Sequence, residues 1–279
     1  MTKLPDIAEL ANQVLHSQTK YFTDKKIIGE IFDLTSRTYS PQSIISRLTI
    51  IDSYYSTQMN KRYYGIEDIA NKIWEVSPEN ENEVKQCFLN FAKNLQNKNI
   101  QALFGKKYGI HKNGTDAGGA ISLISKYAYY QTGFEFPIYD RLAKIVYPLI
   151  MKKYFPDKTI ELSIRSTDII LFIKSINQLN ELSKINNYDK LDNLLWLSGK
   201  ILDGNFSLVF KKKETYSLFA KEVEKKTSKT IKLINGEIKH LDFSERMIGY
   251  IKENKLILNE IIKDKKLKEF IEFALCLNE

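Results

Sequence analysis

Apolar residues recur at helical spacing along most of this chain, and little interrupts them. Only 6 Pro and 12 Gly are spread over 279 residues, too few for the turns of a chain of short strands. The expected fold class is mainly α, and a hydrophobic fraction of 43% supplies a real core. Residues 5–35 read as two amphipathic helices with Ile7 and Leu10, then Ile27, Ile28 and Ile31, facing inward. Ser40-Pro41 reads as an N-cap followed by proline in the first helical turn. The helix it opens carries Ile44, Leu48, Ile51 and Tyr55 on one stripe, and Asp52 falls on that same stripe. Helical patterns continue over 66–76 and 81–95. A polar, glycine-rich break then spans 105–119, followed by a helix over 117–131 for which Thr115 or Asp116 is the expected cap. Further helices are expected after Asp140, over 160–178 and over 188–203. Asn235-Gly236 predicts a small β-hairpin near 230–240. The C-terminal residues return to helix, with Lys263, Lys265, Lys266 and Lys268 on a solvated face.

Charge and residue usage narrow the function classes. The formal net charge of +8 fits a polyanionic partner, and it equally fits a lysine-rich composition with no such partner. The two cysteines, Cys87 and Cys276, form no CxxC, which excludes a four-cysteine zinc or iron–sulfur site and suggests a reducing compartment. His16, His111 and His240 show no HxH or HxxxH pairing, so a histidine-built metal centre is not expected. No apolar run approaches membrane length, and the N-terminus lacks a leader-like apolar region. A cytoplasmic protein with no cofactor and no membrane partner is expected.

The stretch Phe136-Pro-Ile-Tyr-Asp-Arg-Leu-Ala-Lys-Ile-Val146 is the most informative for chemistry. Pro137 keeps Phe136 out of helix, and Leu142, Ile145 and Val146 then recur at helical spacing. Asp140 therefore stands at a junction between an extended apolar run and a helix. Two readings stay open there. Asp140 is an ordinary N-cap, or it is a carboxylate kept ionised by the helix dipole and suited to a positively charged transition state.

Three segments, taken in order, resemble the helix-hairpin-helix DNA glycosylase superfamily. Arg47 to Asn60 looks like the first core helix, ending in a small-polar, glutamine-containing turn at Ser56, Thr57 and Gln58. The glycine-rich break, the helix to Gln131 and the run from Phe136 to Val146 are similar in order to the family's hairpin, second hairpin helix and catalytic-aspartate helix. Leu191 to Lys200 looks like the later core helix that closes the domain, with Trp196 and Leu197 as core residues. The compact hydrophobic-Pro-Gly-hydrophobic-Gly hairpin of the family is absent from this chain. The resemblance implies a two-lobed helical core over 41–205, with N-terminal helices (1–40) packing on it and a C-terminal extension (206–279) that has no counterpart. It also implies double-stranded DNA as partner, without an iron–sulfur cluster.

On this resemblance the function is hydrolysis of the N-glycosidic bond of a flipped base, with Asp140 stabilising the oxocarbenium-like sugar. Family members that also cut the backbone carry a nucleophilic lysine upstream of the aspartate. At that spacing this chain has Ser122, as the monofunctional adenine-type enzymes have a non-lysine residue, and Asp52 would be the general acid. Lys126 lies one helical turn beyond Ser122, where it is either a slipped nucleophile or an amphipathic lysine reaching solvent. Asp52 is otherwise satisfied by a backbone N–H or by Arg47. Contacts to DNA would come from Ser56, Thr57 and Gln58, from Lys106, Lys107 and Lys112, and from the turn glycines Gly114, Gly118 and Gly119. Ser122, Tyr139 and Arg141 complete that set. Tyrosines near the site are candidates for base stacking, though aromatic residues at helical spacing usually belong to the core. Two other functions fit the same composition: a DNA-binding module without catalysis, and a helical scaffold or regulator with no nucleic-acid role.

Overall fold

The computed structural model describes residues 5–14, 20–35, 39–208, 213–227, 231–234, 237–240, 242–253 and 265–277. The protein is mainly helical, as its periodicity requires. Two N-terminal helices, α1 (Ile7–Val14) and α2 (Lys20–Thr35), precede α3 (Pro41–Tyr55). Then come α4 (Gly65–Trp74), α5 (Glu81–Asn94), α6 (Lys98–Gly105) and α7 (Ile121–Gln131). The second half holds α8 (Arg141–Tyr154), α9 (Ile169–Leu182), α10 (Tyr188–Leu202) and α11 (Lys213–Thr227). Strands β1 (Ile231–Ile234) and β2 (Glu237–His240), then α12 (Phe243–Glu253) and α13 (Lys265–Cys276), complete it. The strands pair antiparallel with Ile234 opposite Glu237. That register fits the hairpin predicted from Asn235-Gly236, although the two turn residues themselves lie outside the described residues.

Capping explains most helix starts. Ser40 accepts from the Ser43 N–H while the Ser43 hydroxyl accepts from the Ser40 N–H, a reciprocal box with Pro41 in the first turn. Asn80, Asn97, Asp168 and Asn187 cap α5, α6, α9 and α10 with their side-chain oxygens. Two predicted helices begin later than their sequence patterns suggest. α9 starts at Ile169 rather than near 160: residues 159–168 are irregular with a turn at Ile164 and Arg165, and Asp168 supplies the cap. α7 starts at Ile121 rather than at 117, and neither Thr115 nor Asp116 caps it. Thr115 instead donates to Asn113 Oδ1 at 2.8 Å, and Asp116 sits in a bridge with Ile110. The Arg62 guanidinium donates to the carbonyls of Gly118 and Gly119 at 2.8 and 3.1 Å, which holds both glycines outside the helix.

Packing falls into two groups of helices. α3 packs on α2, α4 and α7, and α7 also meets α5 and α6. α10 packs on α8, α1 and α13, with α9 against α8. The C-terminal helix α13 thus closes onto the first helix and onto α10. On α13, Lys265 and Lys268 form i,i+4 pairs with Glu269 and Glu272, so this face is a solvated, charge-laced one. Lys263 lies outside the described residues. α8 and α10 approach closely where Gly199 meets Leu142: a Cβ there would lie 2.6 Å from the Leu142 Cβ. Buried Arg47 ties the first group together by donating to Glu81 at 2.5 Å, to Gln131 at 2.9 Å, to Thr35 at 2.8 Å and to the Phe32 carbonyl at 3.0 Å.

Candidate active site

The C-terminus of α3 packs on α7, where Tyr55 meets Lys126 and Tyr130. Asp140 caps α8: its backbone is extended and its Oδ1 accepts from the Leu142 N–H at 2.7 Å. Its other oxygen, Oδ2, has no hydrogen-bond partner among the described residues. The cap reading of Asp140 therefore holds, and it leaves one oxygen of a half-buried carboxylate available. The preceding residue is tied to α7, since the Tyr139 N–H donates to Ser125 Oγ at 3.0 Å. That bond sets Asp140 beside Lys126, the next residue along α7.

Lys126 is 3% exposed, so it does not reach solvent. Its Nζ donates to Ser122 Oγ at 2.7 Å and lies 5.2 Å from the centre of the Tyr55 ring. It makes no salt bridge among the described residues. Burial pushes the amine well below the usual lysine value of 10.5, while the Asp140 and Asp192 carboxylates act in the opposite sense. Tyr55 and Tyr130 close the cluster with a 2.8 Å contact between their hydroxyls. Burial raises both phenols above their usual value, so both stay protonated in the range where the amine titrates. The uncharged form of such an amine carries a lone pair and is chemically able to act as a nucleophile.

Asp52 is buried, as its stripe position suggested. Its Oδ1 accepts from the Thr57 hydroxyl and from the Met59 N–H at 3.0 Å, and its Oδ2 accepts from the Asn60 N–H at 3.0 Å. All three partners are donors. The carboxylate pins the turn after α3, and the alternative of backbone satisfaction is the one the geometry favours. Arg47 points elsewhere and does not pair with it. The pinned turn holds Ser56 and Gln58 in the left-handed region and leaves both side chains exposed.

A second surface lies alongside. Tyr63 and Ile110 exchange backbone hydrogen bonds of 3.1 and 3.0 Å, which docks the glycine-rich loop onto the segment before α4. Gly109 makes that docking possible: it has φ +67°, and a Cβ there would lie 2.6 Å from the Tyr63 carbonyl. Sequence reading named Gly114, Gly118 and Gly119 instead; space around Gly114 and Gly118 is open. Lys106, Lys107 and Lys112 are exposed on this loop. Tyr63 and Tyr64 are 56% and 68% exposed, whereas Tyr127, Tyr129 and Tyr130 are core residues. No side chain caps the start of α7, which lies beside Ser122. Arg141 is exposed and paired with Asp203 at 2.6 Å. Tyr139 turns its hydroxyl inward, donating to the Ser166 carbonyl at 2.5 Å and accepting from Lys144 at 2.8 Å.

Asp192 and Lys25 escaped sequence reading as site residues. Both carried a signal: Lys25 shares a helical stripe with Ile28 and Phe32, and Asp192 stands within Leu191-Asp-Asn-Leu-Leu. Leu197 is buried as expected, and Trp196 is half-buried with Lys200 over its ring at 5.2 Å. Among the described residues no group of His, Cys, Asp and Glu could hold a metal ion, and no helix is long and apolar enough to cross a membrane. Compared with protein-family models, with curated proteins and with solved structures, the chain gives no match.

Proposed function

We propose that the protein is a DNA base-excision enzyme of the helix-hairpin-helix glycosylase type, in which Lys126 is the nucleophile and Asp140 the stabilising carboxylate. The observation that carries this reading is the buried, hydrogen-bonded Lys126 amine next to an N-capping aspartate with one oxygen to spare. Asp52 is an anchor of the DNA-facing turn rather than a general acid. The exposed Lys106, Lys107 and Lys112, together with the start of α7 that no side chain caps, supply the charge and N–H groups that a phosphate backbone needs.

A flipped nucleotide enters between the α3 turn and the starts of α7 and α8. The neutral Lys126 amine attacks C1′ while Asp140 stabilises the positive charge that grows on the sugar. The C1′–N bond breaks, and the base leaves with the electron pair and takes up a proton. The secondary amine now on C1′ expels the ring oxygen O4′, which is protonated, and a protonated imine remains between Lys126 and the opened sugar. Borohydride delivers hydride to that imine carbon and makes the link permanent.

The test is release of free base, read by mass spectrometry, from genomic and lesion-containing duplex DNA. Wild type releases base, and Asp140→Asn binds the same DNA with little release. Base release by Asp140→Asn at the wild-type rate contradicts the assignment. Salt-dependent binding with no release from any DNA supports a non-catalytic DNA-binding module instead.

A further inference from the structure

The Lys126 amine has one hydrogen-bond partner among the described residues. Its Nζ donates to Ser122 Oγ at 2.7 Å, one turn back along α7, and the centre of the Tyr55 ring lies 5.2 Å away. The two residues of this pair differ in access. Lys126 is buried, whereas Ser122, in the first turn of α7, is half-buried. The backbone of Ser122 is fixed, since the buried Ser125 hydroxyl donates to its carbonyl at 3.0 Å and accepts from the Tyr139 N–H, next to Asp140. A serine hydroxyl carries one donor and two acceptor sites. Ser122 Oγ uses an acceptor site on the amine, and its own O–H has no protein acceptor among the described residues.

We propose that Ser122 is a further catalytic residue of the proposed reaction: its hydroxyl orients the Lys126 amine toward the sugar and carries off the proton that the amine sheds on joining C1′. The inference rests on the reading of Lys126 as nucleophile. With Nζ as donor to Ser122, the lone pair of the uncharged amine stays free for C1′. Attack leaves a positively charged nitrogen, bonded to C1′ and carrying two hydrogens. Ring opening needs the lone pair of that nitrogen again, so one proton has to leave. Ser122 Oγ takes it, and the original Ser122 O–H proton passes to water. The serine ends as it began, and one proton has moved from Nζ to solvent.

Asp140 is the other acceptor to weigh. Its charge acts on Lys126 more strongly than that of Asp192, yet it forms no salt bridge with the amine among the described residues. A carboxylate that takes the proton also becomes neutral just when the sugar needs its charge. A hydroxyl is donor and acceptor at once, so it passes a proton on without changing its charge. The Tyr55 hydroxyl is engaged by Tyr130 at 2.8 Å.

The experiment measures the rate of borohydride trapping on duplex DNA carrying an abasic site, with protein saturating and duplex affinity measured alongside. Ser122→Ala lowers the trapping rate by about a hundredfold, the scale of one positioned proton-transfer group, while affinity changes little. Ser122→Thr keeps the hydroxyl and restores the rate. Imidazole, a small diffusible proton acceptor, speeds Ser122→Ala in proportion to its concentration, which a merely structural serine does not predict. A parent-like rate in folded Ser122→Ala, or a slow rate that imidazole leaves unmoved, overturns the proposal. If Ser122→Ala fails to fold, Ser122→Val, isosteric with the threonine variant, carries the same expectation. If the parent forms no imine, the reading of Lys126 as nucleophile fails, and a readout without DNA decides the role of Ser122. That readout is reductive methylation by formaldehyde and cyanoborohydride, followed by peptide mass spectrometry. Relative to the exposed Lys106 and Lys112, Lys126 is methylated more slowly in Ser122→Ala than in the parent. A serine that only covers the amine gives the reverse, because its loss opens access; equal or faster methylation overturns the inference.

Discussion

At the scale of single residues, two buried ionisable groups near the site differ in how they are satisfied. Lys126 is a buried amine, and Asp52 is a carboxylate surrounded by donors. Each role has a measurable consequence. Burial lowers the folded-state value of Lys126, so the unfolded chain binds its proton more readily. The cost to stability is full below the folded value and vanishes as pH rises toward 10.5. Lys126→Met is therefore expected to raise the unfolding midpoint at neutral pH, with the gain shrinking in alkaline buffer; a pH-independent gain would contradict burial of the charge. Asp52→Asn loses part of its hydrogen bonding to the α3 turn, at a cost of about 1–3 kcal/mol in denaturant unfolding. It keeps the pH profile of base release, which a general acid would not.

At the scale of elements, the positions of helix ends decide where the chemistry sits. Asp140 was legible in the sequence because capping is local: an extended residue before an apolar helical run needs an acceptor for its first N–H groups. Lys126 was not, because its burial depends on Tyr55 from α3, and the charge around it depends on Asp192 from α10. The start of α7 was misread for a similar reason. Nothing between residues 105 and 120 announces that Arg62, far upstream, takes the Gly118 and Gly119 carbonyls. The late start of α9 did carry a local signal, the N-cap residue Asp168 just before Ile169. Gly199 tests how far helix packing positions Asp140. Alanine there gains about 1 kcal/mol of helix propensity, but its Cβ overlaps Leu142, two residues into α8. Overpacking of this kind costs about 1–3 kcal/mol, so Gly199→Ala is expected to lower the melting midpoint and to slow base release through a displaced Asp140. A more stable variant would show that the helices separate freely.

At the scale of the whole molecule, buried phenols and an exposed basic surface set the solution behaviour. Burial raises Tyr39, Tyr108, Tyr127 and Tyr154, the last up to about 12. Stability tied to these neutral phenols is full below the ordinary value of 10 and is lost as pH rises through the folded-state values. Cooperative unfolding above pH 10, seen by circular dichroism together with phenolate absorbance, is the expected result; phenolate formation without unfolding would contradict it. On the surface, Lys106, Lys107 and Lys112 predict duplex affinity that falls steeply with salt, and exchanging the three lysines for glutamine flattens that slope. Tyr63→Ala with Tyr64→Ala weakens binding by about tenfold or more if the two exposed rings stack on bases.

Borohydride trapping measures attack of the buried Lys126 amine on the sugar most directly. Duplex DNA containing an abasic site is incubated with wild type, Lys126→Gln and Asp52→Asn in the presence of borohydride, and covalent complexes are resolved by denaturing electrophoresis. Attack by Lys126 gives a cross-linked band for wild type and for Asp52→Asn, none for Lys126→Gln, and a peptide map that places the reduced adduct on Lys126. A band that persists in Lys126→Gln, or wild-type base release with no trappable adduct, contradicts it.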